Sequence, residues 1–389
     1  MDSIITPNSD IVHVAHDSQL ADALALLAPS PFLAVDTEFL RERTYFAKLC
    51  LVQLASEQAV VVIDVLALST LKPLLNFIHE PQRLKVLHAA RQDLEVLSQA
   101  LTQFDPDATQ VIPTPLFDTQ IAAGLTGLPG QIGYADLLNR KLSVKLAKDL
   151  TRTDWSRRPL SPEQIRYAAD DVRYLVPLYR QMNNELQQQN RLAWSQEECS
   201  VLEDAELYRT LPDDAWQRLK GTQQLQPAQR AALKSLAAWR EARAIEKDKP
   251  RGWILSDESL RDISETLPTT KEQLAQTRDM AEGIVTKSGD TLLKLVQESQ
   301  SRIAEELPAN DFRPTPQQQG HLSRLMRKMR LIAEDNSIAP ELLVPRRYIE
   351  QLVYFEKRQF FETGWRCDVI GKPMLEEWEK IKNGSAKQE

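Results

Sequence analysis

Phe32-Leu33-Ala34-Val35-Asp36-Thr37-Glu38-Phe39 is the stretch on which the reading of the fold turns. It is apolar on both faces up to Val35, as a strand inside a sheet requires, and then delivers two carboxylates two residues apart. Side chains alternate along a strand, so Asp36 and Glu38 leave on the same side, roughly 6–7 Å apart along the chain. One ion can sit between them. Like charges held that close repel by about 1 kcal/mol in water, and by several times more where water is partly excluded, so the pair calls for a counter-cation. Hard oxygen ligands suit Mg²⁺ or Mn²⁺ rather than zinc. Taken alone, two acids at the end of a strand also fit a solvated terminus.

On either side of this strand the pattern alternates. Ile11-Val12-His13-Val14 reads as an opening strand and 17–27 as a helix with alanines and leucines at helical spacing. Downstream, 48–55 and 59–64 read as two strands close enough for a hairpin, 71–78 as a helix, 84–88 as a further strand, and 91–101 as a helix with Leu94, Leu97 and Leu101 on its buried stripe. Strands first, then alternating strands and helices, imply a mixed sheet with helices on its faces. From Phe117 onward the pattern is helical, apart from short breaks at Pro and Gly.

Ser161-Pro162-Glu163-Gln164 opens the clearest helix of the second half, with a Ser cap, Pro at the first helical position and Gln three residues after the cap. Its apolar stripe runs through Ile165, Ala168 or Ala169, Val172, Val176 and Tyr179, while Tyr167, Asp171 and Tyr174 share the adjacent face. Asp170 is rotated about 100° from Asp171, and the i,i+4 spacing to Tyr167 selects Asp171 as the residue facing a cleft. Asp93 lies near the start of the helix after a strand, at the sheet edge where ligands collect in open α/β folds. By itself it also fits an acid that complements a helix dipole. His88, at the strand end, fits a core histidine with a satisfied ring and stays outside the candidate set.

The composition bounds the rest. The 389 residues allow two or three domains, and their net charge of −7 argues against holding nucleic acid by total charge, so any polyanion must meet local basic patches. Cys50, Cys199 and Cys367 form no C-x-x-C pair, which indicates neither a disulfide framework nor a zinc knuckle and suits a reducing cytosol. The start lacks a basic n-region and Asp64 interrupts the most apolar run, so neither export nor a membrane span is expected.

Asp36-Thr37-Glu38, then Asp93 within His88-Ala89-Ala90-Arg91-Gln92-Asp93-Leu94, then Tyr167-x-x-x-Asp171 resemble, in order and separation, the three exonuclease motifs of the DEDD superfamily, the tyrosine placing them in its DEDDy branch. Phe117-Asp118-Thr119-Gln120, Asp154-Trp155-Ser156-Arg157-Arg158-Pro159-Leu160 and Tyr167-Ala168-Ala169-Asp170-Asp171-Val172 resemble ribonuclease D specifically. Trp239-Arg240-Glu241-Ala242-Arg243-Ala244 and Pro250-Arg251-Gly252-Trp253-Ile254-Leu255 resemble an HRDC domain. The resemblance implies a ribonuclease H-like mixed α/β exonuclease domain over 1–190, a helical connector over 191–205, an all-α HRDC domain over 206–288 and a second, divergent HRDC-like domain over 289–389. It implies a hydrolase that releases 5′-mononucleotides from the 3′ end of structured RNA, with tRNA precursors bearing 3′ extensions as the substrate. It further implies a cytoplasmic monomer without a membrane partner. Asp36, Glu38, Asp93 and Asp171 would hold two divalent ions, Mg²⁺ or Mn²⁺, with Asp36 bridging, Glu38 and Asp171 on the ion that activates water and Asp93 on the other. At its ordinary pKa near 10 Tyr167 is a poor base, so its phenol would orient the attacking water. A DNA repair exonuclease and an inactive RNA-binding adaptor are the competing classes.

Between Arg140 and Arg158 the chain carries seven basic residues against two acids. Directly before the catalytic helix, such an excess would let phosphates approach an acidic site, with Lys148 and Arg158 on the backbone and Trp155 as a stacking or packing surface. Arg324, Arg327, Lys328 and Arg330 form a later basic stretch on an amphipathic segment, read as binding RNA or as ordinary helix surface.

Overall fold

A computed structural model describes residues 10–146, 153–301 and 314–385. These fall into two compact units. The first takes in the chain up to Leu40, Leu49–Leu207 and the chain from Pro314; the second comprises Arg41–Lys48 with the chain from Tyr208 up to the start of the first unit's last segment.

The first unit is built on a mixed sheet of β1 (Ile11–Val14), β2 (Phe32–Leu40), β3 (Lys48–Ala55), β4 (Val60–Asp64), β5 (Leu84–Leu87) and β6 (Leu116–Asp118), in the order β1-β4-β3-β2-β5-β6. β3 and β4 pair antiparallel, as a hairpin must, whereas β1 with β4, β2 with β5 and β5 with β6 pair parallel. β4 is Val-Val-Val-Ile-Asp and buried throughout, the β-branched run that a strand covered on both faces demands. Helices α1 (Asp17–Leu27), α2 (Lys72–Ile78) and α3 (Arg91–Phe104) follow the sequence expectation to within a few residues. α4 (Thr119–Leu125), α5 (Tyr134–Leu142), α6 (Pro162–Arg173), α7 (Leu175–Gln188) and α8 (Leu192–Leu202) complete this part.

Three expectations are corrected here. The chain is not all helical from Phe117: Leu116–Asp118 forms the sixth strand, too short to show a period but registered on β5 with Val86 opposite Phe117. The catalytic helix does not run on to Tyr179, because α6 ends at Arg173 and α7 starts anew at Leu175. Residues 191–205, expected as a helical connector, are largely helical but belong to the first unit: the Asp118 amide donates to Cys199 Sγ at 3.3 Å and the Leu116 amide to Glu203 Oε1 at 3.0 Å, which ties α8 to β6.

The helices after Pro314 also pack within this unit. Trp365 stacks on Trp194 with centroids 4.8 Å apart, Arg366 Nη2 donates to Glu198 Oε2 at 2.8 Å, and the Ala339 amide donates to Gly124 O at 2.8 Å. A Cβ on Gly124 would stand 2.8 Å from Leu342 Cδ2, so α4 lies close against this segment and a larger residue there would have to displace that leucine's end.

The second unit is a helical bundle on α9 (Pro227–Lys247), with α10 (Arg251–Ile254), α11 (Asp257–Thr266), α12 (Lys271–Ala275) and α13 (Glu282–Ser301). Its core holds Leu233, Leu236, Leu260, Ile263, Leu292 and Val296. A boundary at 288 falls inside α13, and the two last-named side chains, fully or almost fully buried, show why the helix stays with the bundle. Among the described residues no helix is long and apolar enough to cross a membrane.

Candidate active site

β2 is buried as far as Val35; Asp36 and Glu38 then emerge half-buried on one side, with the buried Thr37 between them. α6 supplies the third acid. Its start is held by a reciprocal cap, Ser161 Oγ accepting from the Gln164 amide at 3.2 Å while Gln164 Oε1 accepts from the Ser161 amide at 2.8 Å. The buried stripe Ala168, Ala169 and Val172 sets the rotation of this helix, and that rotation delivers Asp171 rather than Asp170. Asp36, Glu38 and Asp171 each offer an oxygen within 4.8 Å of the others. Asp170 instead pairs with Arg173 at 3.4 Å.

Asp93 comes from the first turn of α3 and reaches β2 by a different route. Its Oδ1 accepts from the Thr37 amide at 3.1 Å and from Thr37 Oγ1 at 2.6 Å, so it is anchored to the residue between the other two acids. The four acids and Tyr167 line one open cavity of about 750 Å³. All five residues expected from the motifs therefore meet in one place.

The electrostatics are those of negative charge without a partner. Burial first, then Asp93, Asp171 and Glu38, push the Asp36 carboxyl well above the usual range. Burial and the charges of Asp171 and Asp93 lift Glu38 to about 8; burial, Asp170 and Asp93 lift Asp171 to about 7. Asp93 rises to about 6, burial outweighing the hydrogen bonds from Thr37. Among the described residues no lysine or arginine forms an ion pair with any of the four. An oxygen-only, partly buried set whose members resist ionising together is what a hard divalent cation would relieve, so these residues fit one. Burial and the same acids raise the Tyr167 phenol above its ordinary value, which keeps it protonated at neutral pH.

The three residues expected to hold substrate fare differently. Lys148 lies outside the described residues. Trp155 is only 4% exposed, with its ring 6.1 Å from that of Tyr167, so it backs the catalytic helix instead of offering a face to a base. Arg158 is spent on the fold: Nε and Nη2 hold both oxygens of the buried Asp64 at 2.5 and 2.6 Å, and Nη1 donates to Trp155 O at 2.7 Å. A carboxylate out of water at the end of β4 needs a cation, and the guanidinium fork meets both its oxygens. His88 has both ring nitrogens engaged, Nδ1 with Thr119 Oγ1 at 2.9 Å and Nε2 with Ile132 O at 3.1 Å, as a satisfied histidine should.

Asp118 is the residue whose part was not read. Its Oδ1 caps α4 by accepting from the Gln120 amide at 2.7 Å and also accepts from the Ala89 amide at 3.1 Å, while Oδ2 accepts from the Ala90 amide at 2.9 Å. Ala89 is left-handed, at φ 55°, and directly precedes Ala90, the N-cap of the helix that carries Asp93. Asp118 thus pins the turn that aims α3. An Asp before a helical run signals a cap, but nothing local tells that its second oxygen serves another element.

Comparison with known proteins agrees with this geometry. Residues 11–187 match the family described as 3′–5′ exonuclease and 229–296 match the HRDC domain. A ribonuclease D of Granulibacter bethesdensis is 36% identical over 380 residues, which cover 95% of this chain and 92% of that one. One of Sphingobium indicum is 37% identical, covering 96% and 97%. The crystal structure of Escherichia coli RNase D, described as an exoribonuclease involved in structured RNA processing, superposes with a TM-score of 0.82 at 29% identity and covers 96% of this chain and 99% of its own.

Proposed function

The chain belongs to the ribonuclease D family and is a 3′–5′ exoribonuclease, and we propose that it removes 5′-mononucleotides from 3′ extensions of structured RNA, tRNA precursors among them, with two divalent cations, Mg²⁺ or Mn²⁺. The observation that carries the metal reading is the uncompensated convergence of Asp36, Glu38 and Asp171 within 4.8 Å. Asp36, central to the cluster, would be shared by both cations, Glu38 and Asp171 would serve one, and Asp93 the other. Such cations, when bound, make water a better nucleophile, neutralise charge gathering on the phosphate and ease departure of the 3′-oxygen.

The protein's own groups supply position. Thr37 fixes Asp93 with two hydrogen bonds, so the acid contributed by α3 keeps its register with those of β2. Tyr167 remains a phenol at neutral pH and donates a hydrogen bond that orients the attacking water, since it cannot take up a proton. At neutral pH Asp36 and Glu38 favour the protonated form without a cation, so the full ligand charge would develop only as a cation compensates it. The nuclease, HRDC and second HRDC-like divisions are proposed on the same footing, the boundary at 288 moving to the end of α13. Three free cysteines are compatible with the cytoplasmic setting we assign.

Matched labelled RNA and DNA, each with a free or a blocked 3′ end and with or without Mg²⁺, test the reading. Shortening of RNA from a free 3′ end, only with the cation, is expected. Equal attack on DNA would favour a repair nuclease, and no cleavage with any divalent ion an inactive adaptor.

A further inference from the structure

The helix Pro316–Asp335, in the same unit as the acids, buries Leu322, Leu325, Met329, Ile332 and Ala333 against its neighbours. Its opposite face is unusual for an acidic chain. From Pro316 to Ala333 there is no Asp or Glu, while Arg324, Arg327 and Arg330 are exposed and Lys328 is half-exposed. Arg324 contacts Glu377 at 2.6 Å, but among the described residues no ion pair holds Arg327, Lys328 or Arg330.

At about 100° per residue, Gly320, Arg327 and Leu331 fall on one line down this face, with Arg324 and Lys328 on one flank and Ser323 and Arg330 on the other. A Cβ added to Gly320 would meet nothing within 4 Å, so the upper end of the line is open. The stretch from Gly320 to Leu331 is about 16 Å long, enough for several phosphates.

Three features choose the occupant. Arginines present a planar fork of donors that matches phosphate oxygens. The helix holds no Phe, Tyr or Trp, and its one imidazole, His321, is half-buried edge-on against Trp378, so it offers no aromatic platform on which splayed bases could stack, as a single-strand groove would. Leu331, 53% exposed, is the one large apolar side chain on this face recorded as exposed among the described residues, too little for an apolar protein interface. We infer that this face binds the ribose-phosphate backbone of the double-helical part of an RNA substrate, away from the reacting 3′ end. None of its residues lines the cavity of the acids. The inference rests on the exoribonuclease reading and adds to it a second, sequence-independent point of attachment.

The test uses the full chain with Arg327→Gln/Arg330→Gln, an RNA hairpin carrying a single-stranded 3′ extension, an unpaired RNA of the same length, and a 5′-phosphorylated dinucleotide. KM for the hairpin should rise by about tenfold and the slope of log KM against log salt should fall by roughly 1–2, as loss of two phosphate contacts requires. Turnover of the dinucleotide, too short to reach beyond the cavity, and Tm should stay as in the parent. Arg327→Lys/Arg330→Lys should recover most of the hairpin affinity. An unmoved KM and salt slope for the hairpin would overturn the inference, as would equal losses on hairpin and dinucleotide. Equal losses on hairpin and unpaired RNA would overturn its assignment to the duplex. If the parent chain cut no RNA at all, the nuclease reading would fail separately, and hairpin binding at equilibrium would still decide this one.

Discussion

Glu38 in the first unit and Glu241 in the second are both carboxylates drawn out of water, and their surroundings push them in opposite directions. For Glu38, burial comes with the charges of Asp171 and Asp93, and the carboxyl rises to about 8. For Glu241, burial is outweighed by hydrogen bonds from Arg251 and Tyr45, and the carboxyl falls below its usual value. Arg251 Nε and Nη2 hold the two Glu241 oxygens at 2.5 and 2.6 Å, the Tyr45 hydroxyl donates to one of them, and Asp248 Oδ1 accepts from the Tyr45 and Phe46 amides at 2.9 and 3.0 Å. Withdrawal from water therefore means different things in the two places, since the half-buried Glu38 is raised while the fully buried Glu241 is lowered. A buried acid that the chain itself neutralises is architecture, while one left with other acids is a request for something the chain does not contain.

The largest effect should come from removing one member of the uncompensated set. Asp36→Asn or Asp171→Asn is expected to lower turnover at least about 10³-fold, on the order of 4 kcal/mol of transition-state stabilisation, without loss of fold. Single-turnover cleavage of labelled RNA, beside a thermal melt, checks it; near-parental rates in either variant would remove the acids from the chemistry. Next, Arg251→Met turns Glu241 into a buried acid without its main partner. A loss of about 2–3 kcal/mol in denaturant unfolding is expected, less than for a fully buried pair because Arg251 is 38% exposed and Arg218 remains 3.8 Å away. If stability is unmoved, the contrast between the two glutamates is empty.

Tyr167→Phe should cost about 10–100-fold in kcat, or 1.4–2.7 kcal/mol, with the cation concentration for half-maximal activity nearly unchanged. A shift confined to that concentration would make the tyrosine part of the cation site instead. The smallest effect is on stability without cations. Glu38, Asp171 and Asp93 release their protons at about 8, 7 and 6 in the fold, but near 4 when unfolded, so between those values the native state holds more protons. Stability is then greatest below about pH 4, as far as these groups go, and is lost as pH rises toward 8. In chelator, Tm should drop by a few degrees between pH 5 and pH 8, and saturating Mg²⁺ should abolish the drop. A flat profile in chelator would contradict the repulsion inferred from the geometry.

The site was readable largely because its decisive relations are local. Asp36 and Glu38 share a side through strand alternation, and Asp171 faces the cleft through its spacing from Tyr167; both stem from periods of two and of about four residues. Of the two readings open for Trp155, packing is the one its burial supports, whereas Arg158 was misread because its partner is distant in sequence. Arg158 meets Asp64 across 94 positions, and no basic-residue count distinguishes a guanidinium committed to a buried acid from one awaiting phosphate. The three-residue β6 and the second duty of Asp118 escaped for the same reason, since both exist only by pairing with β5 and the turn behind it.

Taken by itself, the sequence determined the mixed α/β class, the acids and tyrosine of the motifs, and the helical character of the C-terminal half, because periodicity, capping and motif spacing are properties of short stretches. The tertiary structure alone decided which charges are neutralised within the chain and which are not. It also decided that the helices after Pro314 pack in the unit that carries the acids, and that α13 stays in the bundle's core. Neutralisation and burial depend on which side chains meet through space, and no local pattern specifies that.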